Sequence, residues 1–178
     1  LLASTSLDNA LYLWEPTADE PLKGVINRHH NWVTGLAWSH DDSHLATGSW
    51  DTSINLFRTE GLEPTFRFEA HTDFVSGLAF LEDGQRLVSV GYDGQIAIWD
   101  WQSGQLIGTI KAHSDWIEEI HVVDASRIFT ISSEDVIRFW DLDARRRLVQ
   151  LGDAGFEGFD LGRTVDFSDY VDVPDLAS

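Results

Sequence analysis

The sequence predicts an all-β protein made of repeated four-stranded antiparallel units, and three observations carry that prediction. First, residues 87–100 set two short apolar runs around an Asp93-Gly94 pair. That is a strong local hairpin signal, because a type I′ turn needs φ > 0 at both central residues. Second, residues 1–14, 45–57 and 127–140 vary the same theme. Third, three residue types share one period. The hairpin aspartates Asp8, Asp51, Asp93 and Asp135 are spaced 43, 42 and 42, the aromatics Trp14, Phe57, Trp99 and Trp140 43, 42 and 41, and His29, His71 and His113 42 and 42.

Taken in order, residues 1–27 form a partial unit that starts at its second strand, and residues 28–69, 70–111 and 112–151 form three full ones. The third shows the grammar best. Apolar strands are expected at 75–81, 87–90, 96–99 and 106–110, joined by turns at Asp83-Gly84, Asp93-Gly94 and Ser103-Gly104. No stretch has a 3.6-residue period, so no helix is expected. Ile96, Ile98 and Trp99 flank Ala97, leaving that strand apolar on both faces, as in a sheet sandwiched between neighbouring sheets. A period of about 42 residues with four short strands is that of a β-propeller blade.

Residues 1–151 resemble the WD40 repeat family in the run from His71 to Phe80 (His-Thr-Asp-Phe-Val-Ser-Gly-Leu-Ala-Phe), in Gly91-Tyr-Asp-Gly94, and in Trp99-Asp100 and Trp140-Asp141. Where that family has glycine before the histidine, this chain has Arg28, Ala70 and Ala112. The resemblance implies a WD40-type propeller, usually closed with about seven blades. One partial and three full blades are therefore an incomplete ring, to be completed by further chain or another subunit. Residues 152–178 are expected to be an acidic linker or tail, or to supply a ring-closing strand at 164–173.

Composition excludes several functions. A formal net charge of −18 repels phosphate backbones and anionic lipid, so neither a nucleic acid nor a membrane is expected as partner. Single-stranded nucleic-acid binding would suit the tryptophans but contradicts this charge. Zero cysteine removes thiolate metal sites and thiol nucleophiles and leaves the compartment open, a cytoplasmic setting being the expectation. No apolar run reaches the roughly 18 residues of a spanning helix.

Two units offer a serine-hydrolase-like set, His29/Ser49/Asp51 and His113/Ser133/Asp135. Its recurrence argues for a structural role, since an enzyme needs one site. In WD40-like blades the matching residues form a structural tetrad with the tryptophan. By that resemblance His29, Ser49, Asp51 and Phe57 belong to one blade, His71, Asp93 and Trp99 to the next, and His113, Ser133, Asp135 and Trp140 to the last. On this alignment none is complete. Phe57 lacks an indole N–H, Gly91 takes the serine position, and the fourth unit is one residue short between Asp135 and Trp140.

The functional lead is aromatic. Trp32, Phe74 and Trp116 each follow a unit's histidine by three residues, and Leu7, Trp50, Tyr92 or Glu134 precedes the hairpin aspartate. By the resemblance these positions, with Thr34, Ser76 and Glu118, lie at the mouth of a partner-binding face. Asp73, Asp115, Glu118 and Glu119 give it an acidic rim that predicts a protein or peptide partner, a basic one by charge complementarity. The alternative is an enzyme with its site in the propeller channel, for which Glu118, Glu119 and His121 come nearest. The only basic cluster, Arg145-Arg146-Arg147, falls in a hairpin that the resemblance puts on the opposite face. No metal or cofactor is expected: His29-His30, the histidines His40 and His44 around Asp41-Asp42, and a faintly calcium-loop-like stretch at 155–160 have weak spacing.

Overall fold

The structure, a computed structural model, describes residues 1–151, so the expectations for 152–178 lie outside the described residues. Within them the chain is all β. The partial first blade is a three-stranded sheet of β1 (Leu2–Thr5), β2 (Leu11–Trp14) and β3 (Leu22–Ile26). Blade 2 is β4 (Val33–Trp38), β5 (His44–Ser49), β6 (Ser53–Arg58) and β7 (Pro64–Glu69). Blade 3 is β8 (Val75–Phe80), β9 (Arg86–Gly91), β10 (Gln95–Asp100) and β11 (Gln105–Lys111). Blade 4 is β12 (Ile117–Val122), β13 (Arg127–Ser132), β14 (Ile137–Asp141) and β15 (Arg146–Leu151). Each sheet is an antiparallel meander in sequence order.

Three cores lie between successive sheets. Leu11 and Leu13 of blade 1 meet Leu45 and Phe57 of blade 2. Ala46, Ile54 and Leu56 meet Leu87, Ala97 and Trp99 of blade 3. Val88, Val90, Ile96 and Ile98 meet Ile117, Ile128 and Trp140 of blade 4. The both-faces-apolar strands are therefore central strands buried between blades, where covering both sides stabilises by about 25 cal/mol per Å² of apolar surface removed from water.

The innermost strands are clipped together. Thr34 Oγ1 donates to Val75 O of the next blade at 2.9 Å, and Ser76 Oγ donates to Ile117 O of the one after. Close approach requires small residues beside these clips. A Cβ on Gly77 would stand 2.9 Å from Ile120 Cγ2. In blade 4 the corresponding positions are Glu118 and Glu119, both exposed.

Candidate functional site

A buried hydrogen-bond relay fixes each blade's loops. In blade 3 the His71 Nδ1–H points at the Asp93 carboxylate, 3.0 Å from Oδ2. Ser89 Oγ lies 2.8 Å from His71 Nε2 and accepts the Trp99 indole N–H at 3.0 Å. The chain of roles is self-consistent: the carboxylate accepts from Nδ1, which leaves Nε2 to accept from the serine, whose oxygen accepts from the indole. Burial works against charge on Asp93, but His71 and the Thr72 and Gln95 amides outweigh it and hold the carboxyl below its ordinary range.

This corrects the alignment of the serines. The hydroxyl partner sits four residues before the acid, inside the second strand of the blade. It is Thr47 in blade 2, 2.8 Å from His29 Nε2, Ser89 in blade 3, and Thr130 in blade 4, 2.7 Å from His113 Nε2. Ser49 instead donates to Asn31 O, and Ser133 reaches Asp115. Blade 3 is thus complete, contrary to the expectation that Gly91 had erased its serine. Blade 2 has Phe57, 1% exposed, at the indole position. Its Asp51 is nonetheless brought down to about 2: burial opposes the charge, and the Ser53 hydroxyl, the His30 and Ser53 amides and His29 outweigh it.

The acid of blade 4 also changes. Asp135 has φ +57°, matching the left-handed turn residues Thr52 (+71°) and Gly94 (+67°) that follow Asp51 and Asp93. The residue in register with those acids is therefore Glu134, six before Trp140 as Asp93 is six before Trp99, and the apparent missing residue disappears. Glu134 is exposed, and His113 Nδ1 is buried with no hydrogen-bond partner. Burial first, then Arg138, with Asp115 pulling the other way and Arg147 adding the least, lowers His113 to about 4.

Above the relays the aromatics form one continuous arc. Trp32 and Trp50 are 4.4 Å apart between ring centroids, and Trp50 stacks on Phe74 at 4.3 Å and 4°. Phe74 meets Tyr92 at 5.8 Å, and Tyr92 stacks on Trp116 at 4.9 Å and 6°. The backbone sets this alternation, because Trp50 N donates to Trp32 O and Tyr92 N to Phe74 O. Ser133 N donates to Trp116 O in the same way, so Ser133, not Glu134, holds the sixth place. Trp32 and Trp116, at the ends, are 38% and 52% exposed.

Thr34, Ser76, Glu118, Glu119 and His121 line an open groove of about 240 Å³ along the inner strands. Glu119 and His121 are paired at 2.8 Å with both side chains exposed. Arg145 donates to Ile107 O, anchoring its hairpin on blade 3. No group of three or more metal-ligating side chains occurs among the described residues.

The family model described as "WD domain, G-beta repeat" matches residues 21–58 and 62–100. The chain is 33% identical over 75 residues to "Anaphase-promoting complex subunit cdc20" of Dictyostelium discoideum, covering 40% of this chain and 15% of that protein. It is 32% identical over 72 residues to "B-type cell cycle switch protein ccs52B" of Medicago truncatula, with the same coverage. It is also 32% identical over 60 residues to "Protein HIR1" of Cryptococcus neoformans var. neoformans serotype D, covering 34% and 7%. The chain therefore spans a small part of these relatives. Among solved structures, "Crystal structure of RRP9 WD40 repeats" superposes with TM-score 0.79 at 23% identity over 86% of this chain and 48% of that one, a likeness of fold.

Proposed function

The chain is a WD40-repeat protein, and from that premise we propose that it is a protein-interaction platform whose aromatic arc grips a partner peptide or protein. The observation that supports this most is the arc itself. Five rings from three blades pack edge to edge and face to face, yet both end rings stay open to solvent. Rings already ordered by their neighbours lose little freedom on binding, and Trp and Tyr dominate the energetics of interfaces. The net charge of −18 and the carboxylates of Asp73, Asp115, Glu118 and Glu119 suit a basic partner. Relatives named as a cell cycle switch protein and as a subunit of an anaphase-promoting complex fit a role in assemblies.

The test replaces Trp50 or Tyr92 by alanine and follows capture of an identified partner beside thermal stability. The expected result is at least a thirtyfold loss of affinity, the scale of a hot-spot residue, with a small change in melting midpoint. A collapse of stability with unaltered affinity per folded molecule assigns the rings to packing and overturns the proposal.

A further inference from the structure

The imperfect relay of blade 4 and the acidic end of the aromatic arc have one origin, Glu134. In blades 2 and 3 the acid of this register folds down onto its histidine, with side chains only 8% and 4% exposed for Asp51 and Asp93. Glu134 instead lies in solvent. Trp140 Nε1 donates to Thr130 Oγ1, which also lies 2.7 Å from His113 Nε2. The other ring nitrogen, the buried His113 Nδ1, has no hydrogen-bond partner, a standing cost to the fold.

The residue that carries the displaced carboxylate lies at the Trp116 end of the arc. The Glu134 amide donates to Asp115 Oδ2 at 3.3 Å, which sets Glu134 beside the residue preceding Trp116. Trp116 has one face stacked on Tyr92 and is otherwise half open. An indole half open to solvent, with the acidic residues Asp115 and Glu134 close to it in the fold, suits a planar cation, which can stack on a ring while donating to a carboxylate. The opposite end differs: Trp32 follows exposed Arg28 and His30 in the sequence, and the acid of its blade's relay, Asp51, is committed to His29.

Building on the proposed interaction face, we infer that Trp116, Asp115 and Glu134 form a seat for an arginine side chain of an extended partner segment. The segment runs in one direction, with apolar side chains on Trp50 and Trp32 and its guanidinium at blade 4. Glu134 serves the partner at the expense of His113.

The experiment measures binding of an acetylated, amidated Leu-Gly-Leu-Gly-Arg peptide and of its twin with neutral citrulline in place of arginine. In the unaltered protein the arginine peptide is expected to bind about five- to tenfold more tightly, the combined scale of an exposed ion pair and a cation–π contact. Glu134→Gln brings the ratio towards one without lowering the melting midpoint. Glu134→Asp, short enough to return to His113, narrows the ratio and raises the midpoint. Equal affinities for the two peptides, or a ratio unchanged in Glu134→Gln, overturn the seat. If both peptides bind equally and both are lost in Trp50→Ala, the interaction face stands and only the seat falls. If neither binds at millimolar concentration the seat is refuted, and the face is judged by partner capture.

Discussion

Replacing Ser89 by alanine removes one oxygen that holds two buried groups at once. Ser89 is 0% exposed; its oxygen accepts from the Trp99 indole at 3.0 Å and its hydroxyl satisfies His71 Nε2 at 2.8 Å. The alanine leaves a buried donor and a buried acceptor facing each other without a bridge, and each unsatisfied group costs about 1–3 kcal/mol. Part is recovered if the indole and imidazole shift to share a bond, so the expected loss is about 2–4 kcal/mol. For a domain of this size that lowers the thermal midpoint by roughly 5–15 °C. Urea unfolding followed by tryptophan fluorescence reads the loss, and exchange of the Trp99 indole proton reads its cause. A loss under about 0.5 kcal/mol, or an indole proton exchanging no faster than before, refutes the relay as a source of stability.

Two other outcomes follow from the same geometry. Gly91→Ser, which a motif-based repair of blade 3 would recommend, is expected to destabilise by about 1–3 kcal/mol, because a Cβ there would stand 2.6 Å from Phe74 O and 3.1 Å from His71 Nδ1; a midpoint equal to or above the parent's contradicts this. With His113 at about 4 in the fold and ordinary in the unfolded chain, the unfolded state binds more protons between those values. Stability from this group is full above about pH 6.5 and falls on the order of 1–3 kcal/mol as pH drops towards 4. His29, also lowered by burial, adds in the same direction. Urea midpoints constant or rising from pH 7 to 5 rule this out.

The blades were legible in the sequence because their signals are local. An Asp-Gly pair between apolar runs dictates a hairpin, and a histidine recurring with it marks the repeat. The relay was misread by the same logic. Thr47, Ser89 and Thr130 lie inside apolar strands, where a small hydroxyl looks like any strand residue, whereas Ser49 and Ser133 sit conspicuously beside turns. Asp135 drew the alignment because an aspartate at a hairpin resembles Asp93. Only its left-handed φ shows that it matches Gly94, leaving Glu134 in the acid's place. The candidate arc was visible as positions but not as contacts. Ring-to-ring stacking between Trp50 and Phe74, or Tyr92 and Trp116, is set by the angle between neighbouring blades, which no single repeat encodes.

The clips from Thr34 to Val75 and from Ser76 to Ile117 make the inner strands a hinge line. Fanning two blades apart at that line would break these bonds. Farther from that line, β7 and β11 carry Phe66, Leu106 and Ile107, which already meet solvent. A contact surface spread across several blades keeps its pitch only if it lies near the axis of such a fan. Trp32, Phe74 and Trp116 sit immediately before these inner strands, and Trp50 and Tyr92, in the turns between the next two strands, are tied to Trp32 and Phe74 by backbone hydrogen bonds.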